Sequence, residues 1–307
     1  MKKVILTGAS GFVGQHCLLA LARLGYEVHA LSVHRQVDTP ANVEVHWHQI
    51  DVLDAGQVTE LIKQVEPTHL LHCAWYAVPG KYWEATENYQ WAEASLRLFQ
   101  TFANFGGQRI VGVGSCAEYD WAFGRCSEFS TPLNPGSTYG ACKNRLRSEL
   151  EVLGKETGLS AAWARLFFLY GPHERPERFV PSVINTLLRG QSMQCSSREK
   201  LRDYVYIKDA ADALVSLLDS SVLGPVNIAS GFSSTIGQIA DVIGKKLGRT
   251  ELLRFRDFQN EEPLEVSADT ARLNNEVGWS PQYSLDRGME ETINWWKLKG
   301  AAASSAN

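Results

Sequence analysis

Two spacings in this chain could do chemistry. Gly8, Gly11 and Gly14 follow the apolar run Val4–Leu6 at three-residue intervals, and the apolar residues of a helical pattern (Cys17, Leu18, Leu19) come next. A strand that turns tightly into a helix aims free backbone N–H groups, and the positive end of the helix dipole, at one point. That point suits a pyrophosphate: Gly8 permits the turn, Gly11 lets the phosphates approach and Gly14 lets the helix pack closely. The second spacing is Tyr139 and Lys143. At i and i+4 on a helix the two share a face. An ammonium beside a phenol favours phenolate and lowers its pKa, so the pair could exchange a proton with a sugar hydroxyl or carbonyl.

Those residues need elements to hold them. Strand-like segments fall at Val4–Thr7, Glu27–Leu31, Val43–His48, Leu70–Ala74, Arg109–Gly114 and Ala162–Leu169, and helical patterns at 12–24, 55–65, 84–105 and 138–157. Strands alternating with helices predict an α/β fold with a doubly wound parallel sheet, its ligand crevice lined by strand ends. After Gly171-Pro172 the strands shorten and prolines multiply. The expected organisation is a dinucleotide-binding domain over 1–171, joined again by 202–229. A smaller C-terminal substrate-binding lobe takes 172–201 and 230–300, and 301–307 form a disordered tail.

Composition narrows the function. The 307 residues carry 34 acidic and 30 basic side chains, a net charge of −4, with 44% hydrophobic residues. This balance leaves no electrostatic footprint for nucleic acid or a membrane surface. No apolar run reaches the ~20 residues of a membrane span. The first strand starts at Val4 with no leader before it, and six scattered cysteines lack any C-x-x-C pair. Reduced thiols in a cytoplasmic protein fit best. His46 and His48 alternate on one strand with no acidic partner visible, so no metal is expected there. His72 reads as a core histidine.

Further landmarks fall in a recognisable order. They are Asp51-Val52 after the third strand, His72-Cys-Ala74 ending the fourth, Asn88, Ser115 with Tyr119, and Tyr139 with Lys143. Arg165 with Tyr170-Gly-Pro172, Arg202–Asp209, Asn227–Gly231 and Gly278–Pro281 follow. From residue 2 to about 297 the chain resembles an extended short-chain dehydrogenase/reductase, of the nucleoside-diphosphate-sugar epimerase/dehydratase/reductase kind. The resemblance implies a Rossmann-type sheet. It places Ser10, Phe12, Val13, Asp51, Val52, Cys73, Ala74, Trp75 and Phe167, with Tyr139 and Lys143, against the cofactor. Tyr76, Cys116, Glu118, Phe168 and Arg202 fall to the substrate, with Tyr82 and Trp83 near the sugar.

It also implies a catalytic hydroxyl after the fifth strand. The segment Gly114–Tyr119 is one residue short of the common pattern, so anchoring on Tyr119 selects Ser115 and anchoring on the strand selects Cys116; the better donor and acceptor is Ser115. Glu118 matches the acid of family dehydratases, but Ala117 replaces their preceding Asp, which counts against dehydration. Phe168 stands where many relatives carry a substrate-touching Asn. The second strand ends without the usual acid, and Ser32, His34 and Arg35 suit a 2′-phosphate, so NADP is expected ahead of NAD. Leu146, Leu150 and Leu153, with Leu96, Phe99 and Phe102–Ala103, recur at helical spacing, which suggests a homodimer through 84–105 and 138–157. The expected activity is reduction of an NDP-4-keto-6-deoxyhexose. NDP-sugar 4-epimerisation, or NADP(H) sensing without catalysis, are the alternatives.

Overall fold

Strand β1 (Lys3–Thr7) shows how the core is laid down. Its side chains alternate across the sheet: Val4 and Leu6 enter one apolar layer, Ile5 the other. This computed structural model describes residues 2–33, 37, 43–257 and 263–305. β2 (Glu27–Leu31), β3 (Val45–His48), β4 (His69–His72), β5 (Arg109–Ser115), β6 (Ser160–Leu166) and β7 (Gly224–Ile228) complete a seven-stranded sheet in the order β7-β6-β5-β4-β1-β2-β3. All of its pairings are parallel. The order reverses between β1 and β4, where a doubly wound sheet opens its crevice.

Helices cover both faces. α1 (Gly14–Arg23) and α5 (Ile207–Asp219) bury Cys17, Leu18, Leu214 and Leu218 with Val4 and Leu6. α2 (Ala55–Val65), α3 (Glu87–Asn104) and α4 (Thr138–Thr157) bury Leu61, Phe99, Phe102, Leu146 and Leu150 with Ile5. Caps fix where these helices begin and end. The Asp54 carboxylate accepts from the N–H groups of Gly56 and Gln57, and Ser137 Oγ accepts from Gly140. Gly158 closes α4 with φ +75°, a left-handed end that glycine adopts without cost from a Cβ. No described helix is long and apolar enough to cross a membrane.

The smaller lobe is built around strand Leu201–Tyr206. It pairs with Phe168–Tyr170, Ser233–Thr235 and Glu265–Ala268, and the last of these also pairs Arg125–Cys126.

Several expectations need correction. The strand expected over Ala162–Leu169 breaks at Phe167, because Phe168–Tyr170 leaves the main sheet to pair with Tyr204–Tyr206. The segment expected to rejoin the large domain from 202 begins as a strand of the smaller lobe, though its Val205 packs into the main core, as do Leu273 and Trp279. The strand expected to reach Ala74 stops at His72, since the Ala74 N–H turns to Thr7 Oγ1 instead of a strand carbonyl. The last helix runs Leu285–Ser305, into the stretch expected as a disordered tail. The leucine and phenylalanine stripes of α3 and α4 face the sheet, with Leu146, Leu150, Phe99 and Phe102 at 2% exposure or less. Leu96, Ala103 and Leu153 of the same stripes are only partly buried.

His46 and His48 do have an acidic neighbour. It lies on the adjacent strand: Glu27 Oε1 is 3.0 Å from His29 Nε2, and His29 is in register with His46. Burial holds His29 and His48 below the ordinary histidine range. His72 is buried with both ring nitrogens hydrogen-bonded, to Thr7 and Ser95, and is pushed down to about 3 by burial.

Candidate active site

The turn after β1 is shaped by contacts that exclude a Cβ. Gly8 has φ +64°, and a Cβ there would come within 2.9 Å of the Ala74 backbone at the end of β4. A Cβ on Gly14 would run into the Gly8 carbonyl. α1 then opens with no side-chain cap and no acid in its first turn. The Gln15 and His16 N–H groups donate to the Gly11 and Val13 carbonyls, so the helix start offers an anion chiefly the positive end of its dipole. The neighbouring strand end is tied in by Ser10 Oγ, 2.6 Å from Ser32 Oγ. These features fit the pyrophosphate of a dinucleotide.

The other residues assigned to the cofactor ring the same crevice in part. Val52 is buried just after β3, and Asp51 accepts from the Leu53 N–H. Cys73 and Ala74 follow β4, with Ala74 backed on Gly8. Phe12 and Val13 pack toward the smaller lobe, and Phe167 is buried with Cys116 and Tyr119. His34 and Arg35 lie outside the described residues.

α4 delivers Tyr139 and Lys143 beneath the end of β5. The Tyr139 N–H donates to the Trp83 carbonyl at 2.9 Å, and its ring meets Tyr82 at 4.9 Å, Trp83 at 5.8 Å and Trp75 at 6.4 Å. The Tyr82–Trp83 aromatic wall therefore lies on Tyr139, whereas no described ring contact joins Tyr76 to it. Ser115 favours ionisation of the phenol. It also caps the short turn after β5, accepting from the Ala117 N–H.

The expected tuning of Tyr139 by Lys143 is not in place. Lys143 is 3% exposed, donates to the Val113 carbonyl at 2.7 Å and sits 3.7 Å from the Trp75 ring centre. Burial pulls it down to about 7. Burial also holds the Tyr139 phenol above its ordinary range; Tyr82 and Glu118 push the same way, and Ser115 pulls back. That direction keeps Tyr139 in its phenol form near neutral pH.

Two residues assigned to substrate are engaged elsewhere. Glu118 is fully buried, and its carboxylate accepts from Arg165, Trp163 and the Ser115 N–H at 2.8–2.9 Å. Arg202 is 6% exposed and donates to the Leu201, Pro263 and Leu264 carbonyls. Its guanidinium also stands 5.7 Å from the Phe168 ring, which itself packs on Tyr204 and Trp121. Cys116 is buried, and burial raises its thiol.

The sequence reading missed Glu174 and Arg178. Arg178 Nη1 reaches Tyr82 Oη at 3.4 Å, and its Nε lies 3.9 Å from Glu174 Oε1. Glu174 is 5% exposed, its other oxygen has no partner, and burial pushes it up to about 8. The two stand four residues apart, a spacing that signals at most an ion pair; that Arg178 meets Tyr82, distant in sequence, is visible only in the fold.

Comparisons with known proteins agree with this architecture. The chain is 25% identical to UDP-glucuronic acid decarboxylase 1 of Xenopus tropicalis, over 96% of this chain and 72% of that protein. It is 23% identical to UDP-glucose 4-epimerase of Rhizobium meliloti, over 95% and 96%. Among solved structures, UDP-glucuronic acid 4-epimerase of Bacillus cereus, in complex with UDP-glucuronic acid and NAD, superposes with a TM-score of 0.85 at 20% identity, over 97% of this chain and 99% of that one. At that identity the superposition speaks for the fold alone. The family model matches residues 4–229, from the first residues of β1 to just past β7, and this chain belongs to the NAD dependent epimerase/dehydratase family.

Proposed function

We propose that the chain is a nicotinamide-dependent enzyme acting on a nucleoside-diphosphate sugar, and that its reaction is reduction of a 4-keto-6-deoxyhexose unit. The observation that carries this reading is the Tyr139 ring packed against Tyr82 and Trp83 at the end of the strand that bears Ser115. The dinucleotide, when bound at the Gly8–Gly14 turn, supplies or takes the hydride. Tyr139 gives its proton to the sugar oxygen as negative charge develops there, and Ser115 orients that oxygen. Lys143, one helical turn along α4, would stabilise the phenolate left behind. Elimination would need a free acid nearby. Glu118 is committed to Arg165 and Trp163, and residue 117 is Ala, which supports reduction over dehydration. The substrate class is supported by family membership and by relatives named for UDP-sugars.

A 4-epimerase would use the same groups and return the hydride to the same sugar; the R. meliloti relative, matched nearly end to end, favours that second reading. Incubation with NDP-sugars and reduced cofactor separates them. A reductase consumes one reduced nicotinamide per sugar. An epimerase interconverts sugars with no net change in nicotinamide absorbance. Tight cofactor binding with neither activity across the keto- and hydroxy-sugars would overturn both and leave an NADP(H) sensor.

For the cofactor we propose tighter binding of NADP(H) than NAD(H). The chain has no acid between Leu31 and Val37, and Ser32 lies within hydrogen-bonding reach of the phosphate turn. Calorimetric titration of both cofactors tests this; equal or tighter NAD(H) binding contradicts it.

A further inference from the structure

A polar cluster at the sheet edge, on the face away from α1, is not used by the chemistry at Tyr139. Glu27 and His29 stand two residues apart on β2 and so share a face. His29 is in register with His46 on β3, the edge strand, and His48 stands two residues further along it. Glu27, His29 and His46 each offer one ligand atom, and these atoms all lie within 4.8 Å of one another. His29 is 8% exposed and its ring stacks on that of His46 with centres 4.9 Å apart. Its Nε2 lies 3.0 Å from Glu27 Oε1, and its Nδ1 lies 3.0 Å from His48 Nε2.

We propose that Glu27, His29 and His46 bind one divalent transition-metal ion of the zinc class, with His48 orienting His29. Two imidazoles and a carboxylate are a donor set zinc takes readily, with water in the fourth position. Magnesium and calcium prefer all-oxygen sites, so the two imidazoles select against them. Ligand atoms on a tetrahedral zinc sit about 3.4 Å apart, given bonds near 2.1 Å. Side-chain rotation of the exposed His46 and the half-buried Glu27 closes the remaining gap.

The hydrogen bonds on His29 already suit such a site. Without metal, the carboxylate facing Nε2 requires a proton there, and Nδ1 accepts from His48. With metal, the Nε2 lone pair binds the ion and the ring proton resides on Nδ1, which then donates to His48 Nε2. His48 in turn holds its own proton on Nδ1, so the proton count of the neutral imidazoles is unchanged. A ligating histidine whose other N–H is held by a neighbour is the usual support around a bound metal. The ion would bridge β2 to the edge strand β3.

The test uses the full-length protein stripped with a chelator and then titrated with Zn²⁺ by calorimetry and with Co²⁺ by absorption. The proposal expects one equivalent bound, a raised melting temperature, and a cobalt spectrum with no thiolate charge-transfer band. His46→Ala, at an exposed position that leaves the core intact, should abolish binding, and Glu27→Gln should do the same. His48→Ala should weaken binding by about 10–100-fold. No zinc uptake, uptake unchanged in His46→Ala, or a thiolate band pointing to a cysteine site would overturn it.

Discussion

Glu118 and Glu174 are both carboxylates buried within reach of an arginine, and the molecule treats them differently. Every oxygen of Glu118 is used: Arg165, Trp163 and the Ser115 N–H donate to it, Arg165 passes on to Tyr119, and Tyr119 donates to Asn227. Glu174 has an arginine only at 3.9 Å and one oxygen with no partner. The first region is a closed network that ties β5, β6 and β7 together. The second lies near Tyr204 and beside Arg178, which reaches Tyr82, and it has hydrogen-bonding capacity left over. Matching an acid to a motif found the residue that holds the sheet. Glu174, buried with an unpartnered oxygen, belongs to no such network.

Substitutions should separate the two regions. The largest effect is expected from Glu118→Gln, which strands the Arg165 charge in the interior. Breaking a buried pair costs about 3–5 kcal/mol, so urea unfolding should show a loss of that order. A loss under about 1 kcal/mol would mean the network is not structural. Next comes Ser115→Ala. Removing one preorganised donor costs about 10²–10³-fold in rate, and the variant should lose turnover on that scale while Cys116→Ala keeps near wild-type turnover. The reverse pattern would move the catalytic hydroxyl position to Cys116.

The smallest effect is that of Glu174→Gln, and it depends on pH. Glu174 is raised from 4.5 to about 8 in the folded state. Its contribution to stability is therefore fully present below about pH 4.5 and is lost as pH rises through 8. Gln removes that loss, so the variant should gain melting temperature over wild type, by a few degrees, between about pH 5 and pH 9. A difference that stays flat with pH would show that Glu174 is ionised throughout.

The sequence carried the large domain well because its signals are local. The helical patterns at 55–65 and 138–157 are α2 and α4 in the structure, with the same bounds. The glycines of the first turn are dictated by backbone that comes too close for a Cβ. What stayed hidden is what distant segments bring together. Phe168–Tyr170 and Leu201–Tyr206 pair across a long connection, which splits a run that reads as one strand. Glu27 and His46 belong to different strands, so neither betrays the other in the sequence. The apolar stripes of α3 and α4 could face a sheet or a partner, and only the packing decides. Likewise, Tyr139 and Lys143 are one helical turn apart, yet burial overrides the charge effect expected of that spacing.

The central claim is that Tyr139 is the proton donor. It is tested most directly by single-turnover rates of wild type and Tyr139→Phe on the identified sugar, with the cofactor Kd of each measured alongside. The substitution removes one oxygen and keeps the ring on Tyr82 and Trp83. The account predicts a rate lower by about 10²–10⁴-fold with cofactor affinity nearly unchanged. Turnover close to wild type would contradict it.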